Sequence, residues 1–149
     1  MSLEYWKYKA IDKLKDYPLK KTALVNLPEE IRRLEIEAQS IKSATADGTP
    51  VKGGGSGREE RLISNIVARE EHKAQLDMAK LAVKMVDRGL AVLDPDERYI
   101  LDKMYIYRMK GAVGTLMDEY GLAEESSLYK KVNKALLRFT MAMYGVTEY

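Results

Sequence analysis

Apolar residues in this chain recur every three or four positions over long stretches, and no segment alternates apolar and polar residues with period two. Leu27, Ile31, Leu34, Ala38 and Ile41 are spaced 4, 3, 4 and 3 residues apart, the heptad pattern of a helix that packs along one face. A strand would need the period-two alternation that is missing. The sequence therefore predicts an all-α fold.

Two prolines predict breaks in the first part of the chain. A helix from Leu3 to Tyr17 is expected to end at Pro18. A second helix is expected to begin after a break near Asn26, because Pro28 followed by two glutamates is typical of a first helical turn.

A long helical segment follows, from Arg58 to Leu93, and its apolar residues share one face: Ile63, Val67, Ala74, Met78, Leu81 and Met85. Two long amphipathic segments joined by a loop predict an antiparallel helical hairpin over residues 1–93. Such helices must bury their apolar faces against each other, against the C-terminal part or against a second chain. The two stripes also suggest a homodimer through these N-terminal helices.

The loop of this hairpin lies in the glycine-rich stretch DGTPVKGGGSGREE, from Asp47 to Glu60. A phosphate-binding P-loop needs a preceding strand and a lysine with a hydroxyl residue after its last glycine. Arg58 follows Gly57 instead, no serine or threonine comes next, and no apolar strand precedes. We interpret residues 46–57 as a flexible linker.

Composition argues against catalysis. The chain has no cysteine, which excludes disulfides and thiolate metal sites, and its one histidine, His72, cannot build a triad or a histidine metal cluster. Its paired glutamates are adjacent in sequence, and neighbours of that kind do not face each other on a helix. We therefore expect no enzyme, no cofactor and no metal.

Targeting signals are also missing from the sequence. The first residues lack the apolar core of a signal peptide, and no run of about 18 apolar residues occurs, so we expect a cytoplasmic protein without a membrane partner. The net charge of +2 is too small to indicate a polyanion partner by itself, but Tyr129 to Phe139 carries four basic residues and no acid. A nucleic-acid surface would therefore be local.

A new unit begins at residue 94 and extends to residue 149. Asp94 is a good N-cap, Pro95 suits the first helical position, and Glu97 completes the pattern of a capping box. A short helix is predicted from Val113 to Tyr120, closed by Gly121 in a left-handed conformation. The final helix ends at Gly145, and its predicted buried residues are Leu128, Val132, Ala135, Leu136, Phe139 and Met143.

The order of these elements, a short helix ending in glycine and then a longer helix with basic residues, is that of a helix-turn-helix. The residues expected to hold its two helices together are Leu116, Met117, Tyr120, Leu128 and Val132. The residues expected outside the core, where they could contact DNA, are Ser126, Ser127, Tyr129, Lys130, Lys131, Asn133 and Lys134. Arg108 and Lys110 precede the short helix and could clamp the DNA backbone. The alternative is a three-helix packing unit whose lysines only solvate a face.

The motifs LDPDERYILDKMY, TLMDEYGL and SSLYKKVNKALLRF resemble the fourth, promoter-binding region of bacterial sigma factors. They are especially similar to the ArpU family of phage late-gene transcriptional regulators. The likeness is carried by Leu93 to Arg98, by Leu116 to Gly121, and by Leu128 to Lys131 with Ala135 and Leu136. The helical N-terminal half with its glycine-rich interruption is similar as well.

The resemblance implies a sequence-specific regulator of phage or prophage origin that binds double-stranded promoter DNA in a bacterial host cell and contacts RNA polymerase. The helix around residues 125–138 would read the major groove. In one departure from the family pattern, Glu124 and Glu125 place negative charge where DNA phosphates would approach. Two alternatives remain open: a phage assembly or packaging protein, and a polymerase-binding adaptor without direct DNA readout.

Overall fold

A computed structural model of the chain describes residues 3–44 and 54–145. All regular structure in these two ranges is helical, which confirms the predicted all-α class. The helices are α1 (Leu3–Ser43), α2 (Gly54–Leu90), α3 (Pro95–Leu101), α4 (Ala112–Glu119) and α5 (Glu125–Tyr144), and α3 continues into a π-helical turn over Asp102–Ile106. Over the same residues, no helix combines the length and the apolar character that a membrane span requires.

Helix α1 runs without interruption through both prolines, so the predicted end at Pro18 and the predicted break near Asn26 are wrong. An interior proline removes one backbone hydrogen bond and costs about 3 kcal/mol or more. Buried residues on both sides of the prolines, among them Leu14 and Ile31, hold the helix in place. Packing along the face of α1 overrides the local signal for termination.

The described chain divides into two compact units. Residues 22–80 form one of them, and residues 1–21 together with residues 81–149 form the other. The boundary expected between residues 93 and 94 lies inside this second unit. The divisions between the two units fall within α1 and α2, so each of these long helices contributes to both units.

In the unit of residues 22–80, α1 and α2 are in contact. The α1 stripe is buried as predicted at Ile31, Leu34, Ala38 and Ile41, with Leu27 half-buried. On α2, Asn65 is 4% exposed, and its Nδ2 donates a hydrogen bond to the Leu34 carbonyl oxygen at 2.8 Å.

The apolar stripe expected on α2 does not form this packing face. Ile63, Val67 and Met78 are 60%, 47% and 69% exposed. A row of buried or half-buried residues spaced 4, 3, 4 and 3 positions apart begins instead with polar side chains: Asn65, Arg69, His72, Leu76 and Ala79. Arg58, Leu62 and Ala68 are half-buried as well. Arg69 Nε donates to Asn65 Oδ1 at 2.8 Å, so these two polar side chains satisfy each other, whereas His72 Nδ1 is buried without a hydrogen-bond partner among the described residues.

The unit of residues 1–21 and 81–149 packs the ends of α1 and α2 with α3, α4 and α5. Tyr17 of α1 donates a hydrogen bond to Asp87 of α2. Arg88 of α2 donates to the Met143 carbonyl oxygen of α5 at 2.7 Å. The core residues of α5 are buried as predicted: Leu128, Val132, Ala135, Leu136, Phe139 and Met143.

Candidate nucleic-acid interface

The start of α3 is fixed by the capping box that the sequence predicts. Asp94 Oδ1 accepts the Glu97 backbone N–H at 2.8 Å, and Glu97 Oε1 accepts the Asp94 N–H at 3.2 Å, with Pro95 in the first turn. The hydrogen bond from the Glu97 N–H holds the pKa of Asp94 below its usual value. Glu97 is buried and also accepts from Arg138, whose other terminal nitrogen donates to the Val92 carbonyl oxygen at 2.8 Å. These bonds join α5 to the start of α3.

The connection from α3 to α4 contains a feature that the sequence does not signal. The helix widens into the π-helical turn of Asp102–Ile106, where the Tyr107 N–H bonds the Asp102 carbonyl oxygen at 2.8 Å. Arg108 follows with φ of +45°, a left-handed conformation that residues other than glycine seldom adopt. Arg108 and Lys110 are both exposed beside this turn, as expected of residues free to reach a DNA backbone.

The turn between α4 and α5 has the predicted glycine geometry. α4 spans Ala112–Glu119, within one residue of the prediction at each end, and Gly121 has φ of +64°. The Leu122 N–H bonds the Met117 carbonyl oxygen at 2.8 Å and closes the helix end. The residues expected to hold α4 and α5 together are buried (Leu116, Leu128, Val132) or half-buried (Met117, Tyr120).

The outer face of α5 brings most of the predicted contact residues together. At about 100° per residue, Ser126, Ser127, Lys130, Asn133 and Lys134 share the side opposite the buried row. All of them are exposed except Ser127, which is half-buried.

Tyr129 and Lys131 flank this face on opposite sides and are also exposed. The Lys131 ammonium lies 5.4 Å from the centroid of the Tyr120 ring, so it is directed toward α4.

The basic residues of this surface are free of ion pairs among the described residues, whereas others nearby are paired. Arg98 Nε lies 2.9 Å from Asp102 Oδ1, and Lys103 Nζ lies 3.4 Å from Glu119 Oε1. Arg138 is paired with Glu97. The unpaired basic residues are the predicted contacts Arg108, Lys110, Lys130, Lys131 and Lys134. Their charge is available to an external anion.

Two carboxylates lie at the N-terminal edge of this face. Glu124 and Glu125 are exposed, and Ser126 Oγ donates to Glu124 Oε2 at 3.3 Å. The Ser126 hydroxyl therefore already donates a hydrogen bond within the protein. The unpaired lysines of this face, Lys130 and Lys134, follow one and two turns further along α5.

Side-chain hydrogen bonds that the sequence does not signal join α3 to the end of α4. Tyr99 of α3 donates its hydroxyl to Glu119 Oε2 at 2.6 Å, which lowers the pKa of Glu119. Tyr120 donates to Asp96 Oδ1 at 3.3 Å. Each bond joins residues twenty or more positions apart, a pairing that no local sequence signal contains.

The other candidate chemistry of the sequence forms no cluster. Within residues 3–44 and 54–145, no group of His, Asp and Glu side chains is arranged to hold a metal ion. Residues 46–53 of the expected linker lie outside the described residues, and residues 54–57 belong to α2. The cleft beside Gly57 is lined by Glu37 and Glu60 as well as Arg61, a charge balance that disfavours phosphate.

Comparisons of the chain with family models, with curated proteins and with solved structures gave no match.

Proposed function

We propose that this protein is a DNA-binding transcriptional regulator that reads the major groove with the outer face of α5. The observation that carries the proposal is the row of unpaired basic and amide side chains on α5, presented next to a short helix and a left-handed glycine turn. Helix-turn-helix proteins place such a face in the major groove.

Each residue of the face has a role that its chemistry allows. The Asn133 amide pairs with an adenine edge, and Lys130 and Lys134 reach guanine or phosphate. Ser126, Ser127 and Tyr129 anchor phosphates through their hydroxyls, and Lys131 extends the positive edge toward α4. Arg108 and Lys110 lie beside the π-helical turn and bind the sugar–phosphate backbone of the DNA in front of α4.

The sequence resemblance supports the biological setting of this proposal. The motifs shared with sigma region four and with the ArpU-type regulators favour a phage or prophage protein that acts at late promoters in the bacterial cytoplasm, in contact with RNA polymerase.

A salt titration of binding to phage late-promoter DNA tests the proposal. Lys130→Ala with Lys134→Ala should weaken binding and lower the slope of log affinity against log salt by about 2, since each phosphate contact contributes about 0.9. Lys73→Ala with Lys80→Ala removes the same charge from exposed positions of α2 and should leave the slope unchanged. Undetectable binding at low salt, or an unchanged slope in the α5 variant, would refute the proposal.

A second candidate is an adaptor or assembly protein that binds another protein through α2. The observation in its favour is the exposed apolar face that contains Ile63, Ile66, Val67 and Met78, a larger apolar exposure than a solvated helix needs. RNA polymerase capture without a shift of DNA would favour this candidate.

The same face is where we place the homodimer expected from the heptad stripes. Its apolar residues follow a helical spacing along more than four turns of α2, and they are exposed among the described residues 22–44 and 54–80. Sedimentation of the full chain at high concentration distinguishes a dimer from a 17.0 kDa monomer.

A further inference from the structure

The net positive charge of the unit that carries α5 comes from its α1 residues. Residues 1–21 contain six lysines and three acidic residues, a net side-chain charge of +3. Residues 81–149 of the same unit contain ten basic and ten acidic residues and are neutral overall. The electrostatic attraction of this unit for a polyanion therefore comes largely from α1.

Three of the lysines form a row along one side of α1. Lys9, Lys13 and Lys20 lie next to the buried row of Ala10, Leu14 and Tyr17. The row is eleven residues long, which corresponds to about 16 Å at the rise of an α-helix. Lys9 is exposed, and Lys13 and Lys20 are half-buried, so their aliphatic stems are packed while their ammonium groups can reach water.

The cleft beside this row has a mixed lining. Lys13 and Lys20 border it together with Ala82 and Val86 of α2. Asp16 also borders it, which leaves the row with a net charge of +2.

None of the six lysines of residues 5–21 has a carboxylate within ion-pair distance among the described residues. Two of these lysines lie over aromatic rings: Lys9 is 4.7 Å from the centroid of Tyr5, and Lys21 is 5.1 Å from that of Tyr17. The Asp87 carboxylate beside Tyr17 accepts the tyrosine hydroxyl. Neighbouring unpaired ammonium groups repel one another, and a bound polyanion would relieve that repulsion.

Aromatic packing places this part of α1 beside the end of the proposed reading helix. The Trp6 ring lies 4.5 Å, centroid to centroid, from the Tyr144 ring. Tyr144 follows Asn133 by eleven residues, or about 16 Å along α5. This length of α5 is about half of the ~34 Å helical turn of B-DNA, and Lys9 follows Trp6 by three residues, so a duplex longer than one turn can extend from Asn133 toward the lysine row.

We propose that the lysine row of Lys9, Lys13 and Lys20 is a second DNA contact, which binds the sugar–phosphate backbone flanking the site read by α5. This inference rests on the proposed function and adds a sequence-independent anchor to it. Lysine on a helix side contacts phosphates as a point charge and carries no base preference. The row would therefore strengthen binding to every DNA sequence by a similar factor.

The test uses the full chain, a synthetic duplex of mixed sequence and a duplex of late-promoter sequence. Replacing Lys9, Lys13 and Lys20 by glutamine should lower the slope of log affinity against log salt by about 2 to 3 on both duplexes. Replacing the same lysines by arginine keeps the charge and should keep the slope. The matched control replaces Arg61, Lys73 and Lys80 by glutamine, which removes three exposed charges from residues 22–80 and should change nothing.

The outcomes separate this inference from the proposed function. An unchanged slope in the α1 variant, with weakened binding in the Lys130→Ala and Lys134→Ala variant, overturns the lysine row and leaves the reading helix in place. The reverse result supports the lysine row and overturns reading by α5. Failure of the wild-type chain to bind either duplex at low salt overturns both.

Discussion

At the scale of single residues, Tyr17 shows how burial changes the chemistry of one group. Its side chain is 6% exposed and donates a hydrogen bond to Asp87. Burial, which disfavours tyrosinate, and the bond to Asp87 together raise the pKa of Tyr17 from 10.0 to about 12. The folded protein therefore stabilises the protonated form of this side chain.

This shift predicts a dependence of stability on alkaline pH. A group whose folded pKa is raised contributes its full stabilisation below pH 10.0 and loses it as the pH rises toward about 12. Tyr17→Phe should cost about 1–3 kcal/mol at neutral pH through the lost hydrogen bond to a carboxylate, and the difference from wild type should shrink above pH 10.0. Denaturant unfolding at a series of pH values measures both quantities. A constant difference across that range would contradict the assignment.

At the scale of elements, the features predicted correctly are those whose cause lies within a few neighbouring residues. The Asp94–Glu97 capping box, the left-handed Gly121 and the buried row of α5 depend on short-range geometry and helical periodicity. The same periodicity places Lys130 and Asn133 on the outer face of α5. Much of the candidate site was therefore accessible from the sequence.

The features that the sequence did not reveal depend on residues far away in the chain. Pro18 is a strong local signal for helix termination, but α1 continues because its face is packed on both sides of that residue. Asn65 has the polarity of a surface residue, and it is buried because the Leu34 carbonyl oxygen accepts its hydrogen bond. The apolar Ile63 and Val67 therefore remain exposed, against the usual expectation from hydrophobicity.

Gly89 is required for the close approach of α2 and α5. A Cβ atom at this position would lie 2.6 Å from two ring carbons of Phe139 and 3.0 Å from its carbonyl oxygen. Alanine is the better helix former by about 1 kcal/mol, but overpacking of this kind costs about 1–3 kcal/mol. Gly89→Ala should therefore destabilise the protein or at best leave it neutral.

Gly114 in α4 provides the matched control for this prediction. A Cβ atom at this position would meet no described atom within 4 Å beyond its chain neighbours and the backbone of its own helix, so Gly114→Ala should stabilise the protein by about 0.5–1 kcal/mol. Thermal unfolding of the two variants should give shifts of different sign or clearly different size. Equal stabilisation by both would mean that α2 and α5 are not in close contact at Gly89.

At the scale of the whole molecule, the unit that carries the candidate site is built from two separate stretches of sequence. Ala10, Leu14 and Tyr17 are buried in the same unit as Phe139 and Met143. Removing residues 1–92 would therefore remove part of the core of this unit. We expect the isolated residues 93–149 to be less stable than the same residues are in the full chain.

A different deletion keeps both stretches of sequence that form this unit. Lys20 and Ala82 border the same cleft, so a short glycine–serine linker can join Lys21 to Leu81 in place of residues 22–80. The shortened protein should unfold cooperatively and bind DNA with the salt slope of the full chain. Circular dichroism and the same salt titration provide the measurements. A folded product that no longer binds DNA would assign the activity to residues 22–80 instead.

The stacking of Trp6 on Tyr144 has a consequence for chain connectivity. Because these residues lie near opposite ends of the sequence and their rings are 4.5 Å apart, a short peptide bridge can join the two ends of the described chain. New termini can then be opened between Ala44 and Gly54. The helices would be synthesised in the order α2, α3, α4, α5, α1, which brings the lysine row of α1 directly after the proposed reading helix. Such a circular permutant would present both proposed DNA contacts on one contiguous stretch of chain.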